Sequence, residues 1–559
     1  MRREVSIVNK KVCSFPILFA LLALLIGTCA VVFPASAQAV PTSTGSITVS
    51  GTVARSYDAY QIFSANVVDG DSDAKIATDL AWASDAVRDA ALPVLHSAGM
   101  PNSQTTAQEA AEWLNADSHL TSALSAQLAR SLQSSDAVPL NAGTASELPC
   151  GYWLIVADDD SIAQGEAGTA PVMALVGGSA VTVKPKAATP KVVKHVLEDS
   201  TAAWQKAADA TVADDLYWRL SATVPAGLTA YDTYTVQFVD TMSAGLDPSK
   251  VAASMHVYVA AGADGDFDAV STSKDGRVGT DPAKGWTDIT AQCRVSVDGK
   301  SFTVRTGDLI AALGGADAFT AGARVVAVYN APLNSACNHG IAKGNPNEVY
   351  LRYPRSPLAD QSGDAGFTRT PSDDACAYTW DLALTKRGSD GDKPLAGAVL
   401  SITDDRGRTL SADGTWDAEG KATVTTGEDG RVTVSGVDSG KLEVRELKAP
   451  KGYTAFEGTR SVTVKAEGLD VDQVAAAKPK LTITAESPLR ADSADGSTGS
   501  LEASLINTPT GTPPSITTGG FMPSTGDMAM YAAAAAAVAG AALIVVALLV
   551  KRGGGSHKE

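Results

Sequence analysis

The chain has 559 residues, among them 50 Gly, 26 Pro, 6 Cys and 6 His, and a formal net charge of −17. At about 150 residues per domain, that length predicts three or four domains, each large enough for its own core. The acidic balance excludes a nucleic-acid binder, which needs a basic face for phosphates. Scarce His and Cys argue against a multi-metal enzyme, and 45% hydrophobic against 19% charged residues excludes a wholly disordered chain.

Residues 1–39 read as a secretory signal peptide. Arg2, Arg3, Lys10 and Lys11 precede an apolar run from Phe15 to Phe33, and Ala35-Ser36-Ala37-Gln38-Ala39 offers small residues for cleavage after Ala37 or Ala39. Residues 40–183 read as an N-terminal α/β domain. Ile47 and Val49 alternate with Ser and Thr as a half-buried strand would, and Tyr57–Phe63 continues the domain. Ile76 to Leu132 reads as helical, with Leu120, Leu124, Leu128 and Leu132 four apart on one face. Gly151–Val156 and Val172–Val183 return to strands, and Lys184 to Pro190 reads as a connector. Residues 184–374 and 375–509 alternate apolar and polar side chains between Gly/Asp turns. They predict a mainly β protein with two tandem immunoglobulin-like β-sandwiches.

Residues 510–527 combine a Thr/Pro/Gly stalk with the pentapeptide Met522-Pro523-Ser524-Thr525-Gly526. Residues 528–550 are uncharged and rich in Ala and Val, long enough to span the roughly 30 Å hydrocarbon layer as a helix. Lys551 and Arg552 open a basic tail, 551–559, of the kind retained in the cytoplasm. Pentapeptide, apolar span and basic tail, in that order, resemble the cell-wall sorting signal of Gram-positive bacteria, with Met522 where Leu is usual. That resemblance implies cleavage by a sortase between Thr525 and Gly526.

Strand side chains alternate between faces, so residues of one parity lie together. Lys194 shares its face with Val192 and Val196, Asp240 with Tyr234, Val236 and Phe238, and Asn347 with Val349, Leu351 and Tyr353. In the next domain Lys386 follows Leu382 and Leu384, Glu446 follows Leu442 and Val444, and Asn507 follows Leu501, Ala503 and Leu505. Both domains thus direct an amine, an acid and an amide inward, in that order, from the first strand, a middle strand and the last. Burying an isolated ammonium or carboxylate costs several kcal/mol, so such groups pair or neutralise. A desolvated Lys is a nucleophile, and a desolvated acid keeps a proton with which to polarise an amide carbonyl. Together the three residue types predict an intramolecular Lys–Asn isopeptide bond formed with loss of ammonia. Like a disulfide, it would restrict the unfolded chain most where the closed loop is long.

These motifs resemble those of the sortase-assembled major pilins of Gram-positive bacteria, the LPXTG-type shaft subunits of covalent fimbriae. Tyr57-Asp58-Ala59-Tyr60-Gln61-Ile62-Phe63 is similar to the family's N-domain signature. Gly344-Asn345-Pro346-Asn347 is similar to the end of its middle domain, and Leu442 to Tyr453 to its E-box. The resemblance implies sandwiches of the CNA-B type and maps the E-box Glu onto Glu446 and the middle-domain acid onto Asp240. The family's pilin motif maps onto Val181 to Ala187, with Lys186 matching the Lys that attacks the sortase-bound Thr of the next subunit. Lys184 and Ala187 stand where the family has Tyr and Asn, which leaves Lys184 as the alternative linkage residue. The implied function is the backbone subunit of a cell-wall-anchored pilus that supports adhesion, joined through Thr525 to Lys186. The implied partners are sortase, other copies of the chain, tip or basal pilins and peptidoglycan. The rivals are a monomeric wall-anchored adhesin and a minor pilin.

With the signal peptide removed, Cys150, Cys293, Cys337 and Cys376 remain. Cys293 with Cys337 is the leading disulfide pairing because both fall in the middle domain, and Cys337 with Cys376 is the alternative. Asp69–Asp73 and Asp264–Asp268 resemble the start of a Ca²⁺ loop but lack its later Gly and Glu, so they read as acidic turns. No nucleophile elbow, zinc-protease, P-loop or Rossmann motif is present, so neither an enzyme, a metal nor a cofactor is expected.

Overall fold

The computed structural model describes residues 43–511 apart from 52–53, 72–73, 117, 188 and 263–284. The expected signal peptide, the sorting signal with Thr525, the membrane span and the basic tail lie outside those residues, as do Ser72, Asp73 and the Asp264–Asp268 turn. Among the described residues no helix is long and apolar enough to cross a membrane.

The N-terminal domain is built on one long strand, Ser56–Asp69. Lys75–Trp82, Val138–Asn141 and Gly151–Ala157 pair with it, and Val172–Val176 extends the sheet. A smaller sheet sets Thr44–Val49 between Ala145–Pro149 and Val181–Val183, the last pairing parallel. Three helices, Asp85–Ser97, Ala107–Asn115 and Ser122–Leu132, fill the connection across the larger sheet. Each begins where a hydroxyl caps an orphan N–H: Ser84 accepts from Val87 N at 3.1 Å, Thr106 forms a capping box with Glu109, and Thr121 accepts from Leu124 N at 3.2 Å. Leu124, Leu128 and Leu132 are buried together as expected, whereas Leu120 precedes the cap and is exposed. Ile76–Trp82 is strand rather than helix. It pairs with Ser56–Asp69 across a register shift at Ser64/Asn66, and Asp79 adopts φ 56°, a left-handed conformation that no helix interior accommodates.

The middle domain is a sandwich. One sheet runs Ala203–Gln205, Val192–Glu198, Tyr217–Thr223, Arg324–Asn330, His256–Ala260 and Trp286–Asp288. The other runs Ala207–Asp209, Asp373–Tyr378, Asn345–Pro354, Gln237–Met242, Ser301–Arg305 and Arg294–Asp298, with Phe367–Arg369 also on Asn345–Pro354. Between them lie Trp218, Tyr234, Phe238, Phe302, Tyr329 and Tyr353, all essentially fully buried. Two strands follow the one carrying Asn347, so it is not the last of its domain as expected. Asp373–Tyr378 closes the middle sandwich and crosses the expected boundary at 374.

In the third domain Trp380–Gly388 lies beside Ser500–Pro509, the first and last strands running parallel with Lys386 opposite Leu505 and Gly388 opposite Asn507. Arg431–Val437, Leu489–Asp495 and Tyr453–Thr454 complete that sheet. The facing sheet is centred on Val399–Thr403, Gly440–Lys448 and Thr459–Glu467. Leu382, Leu384, Leu400, Val444, Val462, Leu501, Ala503 and Leu505 fill the space between.

Polar contacts fix the junctions. Arg130 donates to the carbonyls of Ala230 and Pro357 at 3.2 and 3.0 Å, bridging the first and middle domains. Asp209 accepts from Trp380 Nε1 at 2.6 Å and from Ser439 N at 2.9 Å, and Asp214 pairs with Arg406 and Arg408, bridging the middle and third.

Candidate functional site: two buried clusters of amine, acid and amide

The alternation expected from sequence is realised in both sandwiches. Lys194, Asp240, Asn347 and Lys386 are fully buried, Asn507 is 2% exposed and Glu446 6%. Their strands present these side chains inward because the apolar residues two and four positions away must face the core.

In the middle domain, Lys194 comes from one sheet and Asp240 and Asn347 from neighbouring strands of the other. Lys194 Nζ is paired with Asp240 Oδ2 and lies 2.8 Å from Tyr329 Oη. That hydroxyl donates to Asp240 Oδ2 at 2.9 Å and accepts from Asn347 Nδ2 at 2.9 Å. The Lys and Asn nitrogens therefore share one hydroxyl as a common neighbour. Asp240 Oδ1 and Asn347 Oδ1 are buried acceptors without a donor. A proton on the carboxyl would supply one.

In the third domain, Lys386 and Asn507 come from adjacent parallel strands and Glu446 from the opposite sheet. Lys386 Nζ is in contact with Asn507 Oδ1 and 3.2 Å from Glu446 Oε1, while Asn507 Nδ2 donates to the same Oε1 at 2.9 Å. The second carboxylate oxygen of Glu446 accepts from Phe456 N at 3.1 Å, which holds the acid in place.

Electrostatics follow from the lack of water. Burial pushes Lys194 down to about 8 despite the Asp240 carboxylate, and burial likewise pushes Lys386 down to about 8 despite Glu446. Burial raises Asp240, against the opposing pull of Lys194, and raises Tyr329 well above the usual phenol range. Each shift favours the uncharged form, because a low-dielectric interior penalises charge more than the partner repays. In the third domain an amine that burial makes easier to deprotonate lies against an amide carbonyl with an acid beside both, the elements of an acyl transfer.

Tyr329 was not singled out from sequence. It shares parity with Val325 and Ala327 in Arg324–Asn330, so its inward direction is readable, but nothing in that pattern separates a core ring from one whose hydroxyl joins a polar cluster. Lys184 and Lys186 both follow Val181–Val183 and are exposed, as the parity of that segment predicts. The cysteine expectation is corrected: all four described cysteines are free. Cys293 Sγ bonds the Ile289 carbonyl at 3.3 Å, whereas Cys337 Sγ faces His339 Nε2 at 3.6 Å, so each thiol is engaged locally. Burial raises both thiols to about 11. Asp69 is turned toward Lys75 and the N–H of Ser179, as an acidic turn would be.

Residues 381–478 match the family model described as the SpaA prealbumin-like fold domain. The chain is 30% identical over 143 residues to the trypsin-resistant surface T6 protein of Streptococcus pyogenes, a match covering 24% of each chain. The chain thus spans about a quarter of the length of this curated relative. Among solved structures it is similar to the T6 backbone pilin of S. pyogenes (16% identity, 84% of this chain and 99% of that one, TM-score 0.45). It is also similar to the major pilin SpaD of Corynebacterium diphtheriae (15% identity, 84% and 98%, TM-score 0.41). The match to the SpaA prealbumin-like model within the third domain and the similarity to the T6 surface protein bear out the resemblance of the chain to the sortase-assembled major pilins of Gram-positive bacteria.

Proposed function

We propose that the chain is the backbone subunit of a covalent, wall-anchored pilus. In this reading sortase cuts after Thr525 and joins its carbonyl to Lys186 Nζ of the next copy. Each sandwich is locked by its own Lys–Asn bond, Lys194 to Asn347 and Lys386 to Asn507. The observation that carries the reading is the third-domain cluster, where a buried amine touches an amide oxygen and one carboxylate oxygen spans both nitrogens.

The chemistry is a single acyl transfer within each domain. Neutral Lys386 Nζ adds to the Asn507 side-chain carbonyl carbon, and the new amine gives up one proton. Glu446 receives that proton and passes one to Nδ2, which departs as ammonia when its bond to carbon breaks. One bond to carbon forms and one breaks, and no oxidant is needed. The chain acts on itself once, so it is a structural protein and not an enzyme.

The placement of the bonds gives them a mechanical purpose. A pull entering at Lys186 reaches Lys194 within a few residues and crosses to Asn347 without loading the strands between. It then reaches Lys386, crosses to Asn507 and leaves toward Thr525. The loops that the two bonds close, 195–346 and 387–506, lie outside that path, whereas the strands between Asn347 and Lys386 carry it. Exposure of Lys186 suits attack on a sortase-bound neighbour, as burial of Lys194 and Lys386 suits internal bonding.

Immunoblots of wall extracts test the reading. A ladder of high-mass species stable in SDS, reduced to monomer in Lys186→Ala, supports a pilus backbone. A single monomeric band in the parent strain points to the monomeric adhesin and refutes it.

A further inference from the structure

The two clusters solve one problem with different parts. Net amide exchange moves a single proton from the attacking nitrogen to the leaving one, so some group must reach both. In the third domain Glu446 Oε1 does so alone, 3.2 Å from Lys386 Nζ and 2.9 Å from Asn507 Nδ2. The middle domain carries Asp240, one methylene shorter. Its carboxylate pairs with Lys194, but the Asn347 amide hydrogen goes to Tyr329 Oη instead. That hydroxyl is 2.8 Å from Lys194 Nζ, 2.9 Å from Asn347 Nδ2 and 2.9 Å from Asp240 Oδ2. The ring is fully buried and held edge-on against Phe302, with centroids 4.7 Å apart, so the hydroxyl has no freedom to turn to water.

We propose that Tyr329 is a catalytic residue of the middle-domain bond, its hydroxyl relaying the proton from Lys194 Nζ to Asn347 Nδ2. Nζ bonds to the Asn347 side-chain carbon, and Oη delivers its own proton to Nδ2. Oη takes the surplus proton from Nζ, and ammonia leaves as the carbon–Nδ2 bond breaks. The tyrosine ends as it began. Asp240 orients the hydroxyl by accepting its hydrogen bond beforehand and stabilises the ammonium formed on attack. This proposal rests on the isopeptide reading above, and it makes the two domains of one chain mechanistically unlike.

The test follows both bonds in the full chain by intact mass and peptide mapping at intervals after cell-free synthesis. In Tyr329→Phe the Lys386–Asn507 cross-link appears at the parental rate, while Lys194–Asn347 appears about 100-fold more slowly, the scale of a lost acid–base group. A Lys194–Asn347 bond formed at the parental rate in Y329F overturns the proposal. Absence of that cross-link from the parent overturns the isopeptide reading of the middle domain and the proposal with it. Amide-exchange protection of Val192–Glu198 and Asn345–Pro354 reports whether Y329F keeps the sandwich. If protection is lost, a fluorotyrosine at 329, which keeps ring and hydroxyl but acidifies the latter, decides. A changed rate of bond formation supports the relay, and an unchanged rate overturns it.

Discussion

Replacing Asn507 by alanine isolates what the proposed third-domain cross-link contributes. The substitution removes the carbonyl that Lys386 would join but leaves Lys386 Nζ 3.2 Å from Glu446, so the buried amine keeps its acidic partner. Lys386 and Asn507 are 121 positions apart. Holding the ends of a loop that long together in the unfolded chain is worth about 5 kcal/mol on the chain-entropy account. At about 3 °C per kcal/mol for a domain of this size, the third-domain transition of Asn507→Ala falls by roughly 15 °C. Scanning calorimetry of the full chain reads the shift, and intact mass shows one fewer ammonia lost once the substitution is allowed for. A transition within about 3 °C of the parent would refute the cross-link's stabilising role.

Other expectations follow from the same geometry. A base is neutral above its pKa, and burial holds Lys194 and Lys386 at about 8, so the rate of bond formation rises as pH is raised through about 8 and then levels. A flat rate from about pH 6 to about pH 9 would rule out an amine nucleophile of that acidity. Lys184→Ala keeps the wall ladder that Lys186→Ala loses, although both side chains are exposed, and a ladder lost in Lys184→Ala alone would move the linkage to that residue. Denatured without reductant, the chain takes up alkylating reagent at Cys150, Cys293, Cys337 and Cys376. Blocked Cys293 and Cys337 that open only on reduction would restore the disulfide between them.

What the sequence made legible was mostly a matter of period. Strand side chains repeat every two residues, so Lys194 between Val192 and Val196, or Asn507 after Leu501, Ala503 and Leu505, had to point inward once the apolar residues did. All six cluster residues were readable for that reason. Pairing across the sandwich was not, because parity fixes a face but not a partner. It did not reveal that Lys386 and Asn507 lie on neighbouring parallel strands while Lys194 and Asn347 lie on opposite sheets. Tyr329 was hidden by its own chemistry, a ring that belongs in any core carrying a hydroxyl that belongs in this cluster. The expected boundary at 374 gave residues 375–378 to the third domain, yet the hydrogen bonds of Asp373–Tyr378 go to Asn345–Pro354. The cysteines were paired by shared domain, a criterion with no geometry in it, and local partners at Ile289 and His339 prevailed.

The most direct measurement is tandem mass spectrometry of digests from the SDS-resistant, high-mass wall fraction. The account predicts a branched peptide in which the Thr525 carbonyl is joined to Lys186 Nζ, alongside Lys194–Asn347 and Lys386–Asn507 cross-linked peptides. Finding Thr525 attached solely to peptidoglycan, with Lys186 recovered as a free amine, would contradict it.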